Sequence, residues 1–391
     1  MKAPFENIEN WFNTPKFRET EIFVHEGVKQ IFYESVPYKG KTTEVFACYG
    51  LPEGACAEKP VPAVVLVHGG GATALADWVE LWNRRGFAAI SMDTCGCVPS
   101  WSANPYFNRN WPSHKNGGPR GWGKIPLAGD APEEQWMYHA AAAVIIGHSF
   151  LRSLPEVDPA RIGVTGISWG GVLTCITAGL DDRFAYAMPV YGCGFLDNPD
   201  CSLKREGDCS PDRGGEPTAE QFAKWIELWD PSHYLPNVKV PTYFLVGSND
   251  KPFPLDSLSR SVELVADVRQ QIIVDYPHNH TISWKEETLY AFAKAASDGT
   301  TASLPRFAPV AADKERLTAA FESGPVPVKA EIAYTWGSGF WNGRQWFTAE
   351  AEVSSNTLSA SVPPNVTAAY FTVTLPDGTK YSSRVAELSS K

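Results

Sequence analysis

A serine between glycines is the residue in this chain best placed to do chemistry. Gly166-Ile167-Ser168-Trp169-Gly170 has the Gly-x-Ser-x-Gly pattern; it follows a β-type run, Arg161 to Thr165, and precedes a run that predicts a helix. A serine on a tight strand-to-helix turn exposes its hydroxyl, and the flanking glycines let neighbouring backbone pass close to it. The helix N-terminus favours negative charge there, as in acyl transfer. Ser168 is therefore predicted to be a nucleophile, although a glycine-rich loop with an incidental serine is the alternative for this motif alone.

A glycine-rich turn upstream of the serine supplies hydrogen-bond donors. Residues 62–67 are apolar throughout, as in a strand buried on both faces of a parallel sheet, and His68-Gly69-Gly70-Gly71 follows. Such a turn provides backbone N–H groups for an oxyanion. We predict an oxyanion hole made by the N–H groups of Trp169, Gly70 and Gly71, each worth about 3 kcal/mol of transition-state stabilisation. His68 is expected to brace this turn rather than to act as a base.

Two downstream segments provide an acid and a base. Asp250 follows another buried strand, residues 241–247, and so lies at the carboxyl end of the sheet, where open α/β sheets place their chemistry. A last strand, residues 271–274, leads to His278 and His280. We prefer His280 as the base because His278 follows Pro277 too closely, with His278 as the alternative base and otherwise a pocket residue. Asp250 would hold the imidazole tautomer.

These segments together resemble one group of enzymes. Residues 68–71, 157–171 and 246–250 are similar to α/β-hydrolases of the acetyl xylan esterase, dienelactone hydrolase and prolyl oligopeptidase-like group, and the resemblance covers roughly residues 40–298. It implies an α/β fold with a mostly parallel sheet of about eight strands and helices on both faces. It also implies hydrolysis through an acyl-enzyme. The chain departs from the family pattern at residues 278–280, where His-Asn-His stands in place of a Gly-His pair.

The resemblance implies a serine carboxylic-ester hydrolase that removes small acyl groups, acetyl above all, from carbohydrate or similar alcohols. No metal or organic cofactor is expected, because water deacylates the enzyme. A peptidase is less favoured, since such relatives carry a large N-terminal propeller and fewer than seventy residues precede the oxyanion turn here. A lactone hydrolase is less favoured because such relatives usually have a cysteine nucleophile. A catalytically silent binding protein with the same fold is the alternative from another class.

Composition limits the partners. The formal net charge of −10 argues against nucleic acid, and no apolar run approaches the twenty residues of a membrane helix. The expected partner is a small-molecule ester, without nucleic acid or membrane, and a homo-oligomer remains open. The N-terminus shows no signal peptide, so a cytoplasmic location and reduced cysteines are favoured, although a removed signal is an alternative. Cys201 and Cys209 would be able to bridge in an oxidising compartment.

Three segments are predicted along the chain: a catalytic domain at 1–308, a linker at 309–328 with one short helix around 314–322, and a β-sandwich-like module at 329–391. Alternating apolar residues in the last segment predict about five to seven short strands. Its tryptophans, Trp336, Trp341 and Trp346, suggest carbohydrate binding, but a structural or oligomerisation role is favoured.

Two long insertions, residues 94–131 and 192–235, interrupt the alternation of strands and helices. Because long loops in compact domains are usually functional or disordered, and because the aromatic content argues against disorder, we expect them to wall the pocket. Trp101, Trp111 and Trp122 are candidates for stacking on a flat ligand such as a sugar. Packing that holds the loop in place is the favoured interpretation of these tryptophans.

Overall fold

The computed structural model describes residues 4–5, 7–99, 111–123, 125, 128–201, 217–313 and 315–388. Two of the residues considered above, Trp101 and Cys209, lie outside these ranges. Within them the chain forms one large sheet with its helices, followed by a β-rich module.

Nine strands of the described residues form the main sheet: β1 (Phe17–Thr20), β2 (Lys29–Tyr38), β3 (Lys41–Gly50), β4 (Val61–Val67), β5 (Ala88–Met92), β6 (Val157–Ile167), β7 (Tyr186–Val190), β8 (Thr242–Gly247) and β9 (Val268–Ile273). Their order across the sheet is β1-β2-β3-β5-β4-β6-β7-β8-β9. The pairs β1–β2, β2–β3 and β3–β5 are antiparallel, and every pair from β5 to β9 is parallel. The predicted α/β-hydrolase fold class is confirmed.

The α-helices among the described residues are α1 (Ala76–Asn83), α2 (Trp136–Arg152), α3 (Trp169–Leu180), α4 (Ala219–Trp229), α5 (Leu255–Glu263), α6 (His280–Ser283) and α7 (Glu287–Ser297). Helices α2 and α3 pack against each other and against the central strands. Helix α1 meets α7, where the Trp82 and Tyr290 rings are 4.7 Å apart. Residues of β5, β7 and β8 are buried along their whole length, which explains why these strands are continuous apolar runs rather than alternating ones.

The carboxyl ends of four parallel strands carry the predicted chemistry. His68 follows β4, Ser168 follows β6, and Asp250 comes three residues after β8. The segment after β9 carries His278 and His280. Since parallel strands point the same way, these side chains gather at one edge of the sheet.

Among its described residues, the C-terminal module forms two five-stranded antiparallel sheets. Its strands are β10 (Arg306–Phe307), β11 (Ala311–Asp313), β12 (Arg316–Glu322), β13 (Lys329–Thr335), β14 (Phe347–Glu350), β15 (Glu352–Ser354), β16 (Thr357–Ser361), β17 (Ala368–Thr374), β18 (Lys380–Ser382) and β19 (Ala386–Glu387). The predicted linker at 309–328, with its helix, is wrong, because β12 occupies this segment and pairs with β16. The side chains of Leu317, Ala319 and Phe321 are buried in alternation, which is strand periodicity.

The module lies against the β9 edge of the main sheet. The N–H of Ile272 in β9 donates to Ser382 Oγ at 3.0 Å, and the Gln270 side chain donates to Ser383 O at 2.6 Å. A third bond joins Lys380 N–H to Thr288 Oγ1 in α7, at 3.0 Å. The module thus provides hydrogen-bond partners for β9, which would otherwise be an open edge of the main sheet.

Candidate active site

Ser168 lies on the sharp turn that its motif predicts. Its backbone has φ 61° and ψ −118°, a conformation that costs a non-glycine residue free energy and is found mainly at functional sites. The flanking glycines are required by close approach: a Cβ on Gly166 would lie 2.2 Å from Gly170 O, and one on Gly170 would lie 2.0 Å from Val67 O. The Ser168 N–H donates to Val190 O of β7 at 2.9 Å, which fixes the turn between two strands.

Asp250 is paired with His278. The carboxylate is buried, and its Oδ2 lies 2.7 Å from His278 Nδ1, while its Oδ1 accepts from the N–H of Phe253 at 3.0 Å. The buried carboxylate therefore orients the imidazole, and Nε2 is left as the ring nitrogen for proton transfer. The preference for His280 over His278 as the partner of the acid is wrong: only two residues separate the two histidines, but His278 already reaches the carboxylate.

His280 has a different partner, since its Nε2 accepts the backbone N–H of Gly69 at 3.0 Å. The ring lies so close to this backbone that a Cβ on Gly69 would be 2.7 Å from His280 Nε2. Burial, with smaller contributions from His68 and His278 nearby, lowers the pKa of His280 to about 3. The ring is therefore neutral near pH 7, with its proton on Nδ1, and it holds the glycine turn.

The glycine turn abuts the serine turn. The N–H of Ala72 donates to Gly69 O at 3.3 Å, and Gly71 has φ +81°, which together define a tight turn with a left-handed third residue. A Cβ on Gly170 would lie 2.8 Å from His68 O, so the two turns touch. Among the described residues, the N–H groups of Trp169, Gly70 and Gly71 donate no hydrogen bond, which leaves them for an oxyanion.

His68 is buried between two loops. Thr94 N–H donates to its Nε2 at 3.0 Å, so the proton sits on Nδ1, which donates to Gly69 O at 2.8 Å. Burial lowers the pKa of His68, outweighing the opposite effect of Asp93. These contacts are those of a brace for the glycine turn.

Two of the predicted tryptophans reach the same turn. Trp111 Nε1 donates to Gly71 O at 3.0 Å, and the Trp122 indole lies against Gly70, where a Cβ would come within 2.6 Å of its Nε1. Both side chains are buried. Both side chains therefore pack against the glycine turn. In the C-terminal module Trp341 and Trp346 are also buried, while Trp336 is 40% exposed.

Tyr191 was not found by sequence reasoning. It follows β7 with φ 52°, its ring lies 4.6 Å from that of His278, and its hydroxyl donates to Pro277 O at 3.0 Å. It thus supports both the imidazole and the loop that carries it. The only available signal was its position directly after a parallel strand at the catalytic edge.

The buried Cys201 thiol donates to Pro252 O at 2.9 Å. The proposed Cys201–Cys209 pairing involves a residue outside the described ranges. Among the residues that the structure describes, no three His, Cys, Asp or Glu side chains are grouped as a metal site, and no helix is long and apolar enough to cross a membrane.

Two family models match the chain. The acetyl xylan esterase family matches residues 6–199, which include the glycine turn and Ser168. The prolyl oligopeptidase family matches residues 130–297, which include Ser168, Asp250 and both histidines. These matches support the α/β-hydrolase superfamily, in the group of acetyl xylan esterases and prolyl oligopeptidases, that the sequence resemblance predicted. The matches agree with the expected serine esterase and also fit the peptidase alternative.

The chain is also similar to individual proteins of these two families. The acylamino-acid-releasing enzyme of Arabidopsis thaliana is 30% identical over 150 residues, which are 36% of this chain and only 19% of that enzyme. The acetyl xylan esterase structure from Paenibacillus sp. R4 has a TM-score of 0.54 at 21% identity, covering 74% of this chain and 92% of its own. Acetyl xylan esterase 1 from Thermoanaerobacterium sp. JW/SL YS485 has a TM-score of 0.50 at 17% identity, covering 75% and 95%. At these identities the structures show a shared fold.

Proposed function

We propose that the protein is a serine carboxylic-ester hydrolase in which Ser168, His278 and Asp250 form the catalytic triad. Ser168 Oγ attacks the ester carbonyl carbon while His278 Nε2 takes its proton, and the same imidazolium then protonates the leaving alcohol. Asp250 stabilises the imidazolium. Water, activated by His278, hydrolyses the acyl-serine. The observation that carries this proposal is the 2.7 Å bond between buried Asp250 and His278, at the sheet edge that holds the strained Ser168 turn.

The oxyanion of the tetrahedral intermediate is bound by backbone N–H groups of Trp169, Gly70 and Gly71. These donors are fixed before the reaction: the first by the start of α3, the other two by a turn that is bonded to His280 and His68. Donors that need no reorganisation stabilise developing charge most effectively.

The substrate we propose is a small acyl ester, acetyl above all, of a carbohydrate or similar alcohol. Support comes from the acetyl xylan esterase family match over the half of the chain that carries the glycine turn. It comes also from the aromatic walls near that turn, where Trp122 lies against Gly70 and the Trp169 ring lies against Gly123. Bulky rings this close to the oxyanion donors favour a short acyl group.

The test uses p-nitrophenyl esters of increasing acyl length and acetylated xylo-oligosaccharides. Ser168→Ala and His278→Ala should each lower kcat by several powers of ten, while His280→Ala should keep far more activity than His278→Ala. Acetyl esters should be the best substrates. Full turnover by Ser168→Ala would reject the proposal, and a larger loss for His280→Ala than for His278→Ala would reject the assignment of the base.

Release of an acylated amino acid from a peptide is the second candidate, since the prolyl oligopeptidase family match spans all three triad residues. An acetyl-amino acid p-nitroanilide, run beside the acetyl ester, separates the two. A kcat/KM for the anilide above that for the ester would favour the peptidase, because an amide is the harder bond to hydrolyse.

A further inference from the structure

One loop of the C-terminal module touches the loop that carries the triad acid. The loop between β13 and β14 contains a short turn of 3-10 helix, Trp341–Gly343. The side-chain amide of Asn249, next to Asp250, donates to Arg344 O at 2.7 Å and lies 3.4 Å from Asn342 O. The module thus reaches the residue adjacent to the catalytic carboxylate, across a hydrogen bond of good length.

Further hydrogen bonds connect the Asn249 side chain to the loop that carries the base. Asn249 Oδ1 accepts from Ser248 Oγ at 2.5 Å, and Ser248 Oγ accepts the backbone N–H of Asp275 at 3.1 Å. Asp275 has φ 53°, and His278 is three residues further on. A single chain of hydrogen bonds therefore joins the module, the acid loop and the histidine loop, and buried Ser248 lies in the middle of it.

The module loop is itself held firmly at this point. The Trp341 N–H donates to Asp200 Oδ2 at 2.7 Å, and the Arg344 guanidinium lies 3.5 Å above the buried Trp341 ring. Asp200 belongs to the second insertion. The acceptor that Asn249 uses is consequently fixed from two sides, which makes the loop a rigid support rather than a passing contact.

We propose that Asn249 is a positioning residue that couples the C-terminal module to the triad, so that the module is a working part of the active site. This proposal rests on the proposed function. The Asp250–His278 pair spans two loops from different strands, and Asn249 with Ser248 sets the distance between them against the fixed backbone of residues 342–344. A displacement of about 1 Å between catalytic groups can lower the rate about 100-fold, so this distance matters.

The experiment compares Asn249→Ala with two variants that each remove a hydrogen bond across the same module boundary, away from the triad. Ser382→Ala removes the acceptor of Ile272 N–H, and Thr288→Val removes the acceptor of Lys380 N–H. With an acetyl ester, Asn249→Ala should lower kcat about 10- to 100-fold with KM little changed. Ser382→Ala and Thr288→Val should keep kcat near the wild-type value, whatever their effect on thermal stability.

Two further variants test the path. Asn249→Gln, which keeps the amide, should recover part of the lost kcat. Arg344→Ala, which loosens the loop without removing the Arg344 carbonyl, should lower kcat in the wild-type background and have little further effect in Asn249→Ala. The coupling would be overturned if the kcat losses of Asn249→Ala and Arg344→Ala were additive, or if Asn249→Ala and the two boundary variants had equal kcat. Loss of turnover in Ser168→Ala would show in that case that the proposed function still holds. A wild-type protein without hydrolase activity would instead overturn the proposed function.

Discussion

The buried environment of His280 predicts how the free energy of unfolding depends on pH, whatever the substrate is. In the folded protein burial lowers its pKa to about 3, whereas an unfolded chain gives a histidine pKa of about 6.5. Its Nε2 must stay unprotonated to accept the Gly69 N–H. Below pH 6.5 His280 is therefore protonated in the unfolded chain but not in the folded protein, so the free energy of unfolding decreases as the pH falls towards 3.

The magnitude follows from these two pKa values. One pH unit of separation corresponds to about 1.36 kcal/mol, so at pH 5, about 1.5 units below the unfolded pKa, His280 should cost about 2 kcal/mol of stability. At pH 7.5 the cost is close to zero. His280→Gln places an amide oxygen where Nε2 was and does not titrate. Its free energy of unfolding should therefore fall by about 2 kcal/mol less than that of the wild type between pH 7.5 and pH 5.

The assay is urea unfolding followed by tryptophan fluorescence at both pH values, for wild type, His280→Gln and His233→Gln. His233 is exposed, so its variant is the control and should follow the wild type. Coincident transitions by circular dichroism would establish that one free energy describes the unfolding. Equal pH dependence in wild type and His280→Gln would refute the claim that His280 is held neutral against the glycine turn.

Three more substitutions test the turn and the triad. Gly69→Ala would put a methyl group 2.7 Å from both His280 Nε2 and Ile167 O, so melting experiments should show a loss of about 1–3 kcal/mol, against no change for Gly129→Ala, where the space is open. Trp111→Phe removes the donor to the Gly71 carbonyl and should lower kcat about tenfold, measured with an acetyl ester beside an unchanged KM. Asp250→Asn should lower kcat about 10⁴-fold, and a loss under tenfold would contradict its role.

The positions of Ser168 and Asp250 at the edge of the sheet could be predicted because their signals are local. Ser168 lies between two glycines that are required because a Cβ at either position would clash with nearby backbone. Asp250 comes just after a buried strand. The base could not be chosen this way. His278 and His280 follow the same strand, and the choice depends on the path of the backbone between them. That path depends on the left-handed backbone of Asp275 and on the hydrogen bond from the Tyr191 hydroxyl to Pro277 O. The residues around the two histidines do not reveal either feature in the sequence.

The predicted linker failed for a related reason. Residues 309–328 are rich in proline and alanine, a composition typical of connecting segments, but the buried Leu317, Ala319 and Phe321 alternate with exposed or half-buried neighbours. Strands as short as β10 and β11 are stabilised by pairing with β12, and β12 pairs in turn with the distant β16, where Arg316 is opposite Ser361. Composition over a short window cannot report such a partner, whereas alternation can.

The three histidines near the catalytic edge divide the work by their partners. Of these three histidines, His278 has the closest carboxylate, since Asp250 Oδ2 lies 2.7 Å from its Nδ1, whereas His68 Nε2 is 3.9 Å from Asp93 Oδ1. His68 and His280 instead accept backbone N–H groups, from Thr94 and Gly69, and burial lowers the pKa of each. Neutral acceptors brace the oxyanion turn without adding positive charge that would compete with the reacting imidazole. The His-Asn-His sequence therefore places the proposed base, His278, and a residue that braces the glycine turn, His280, two residues apart on one loop.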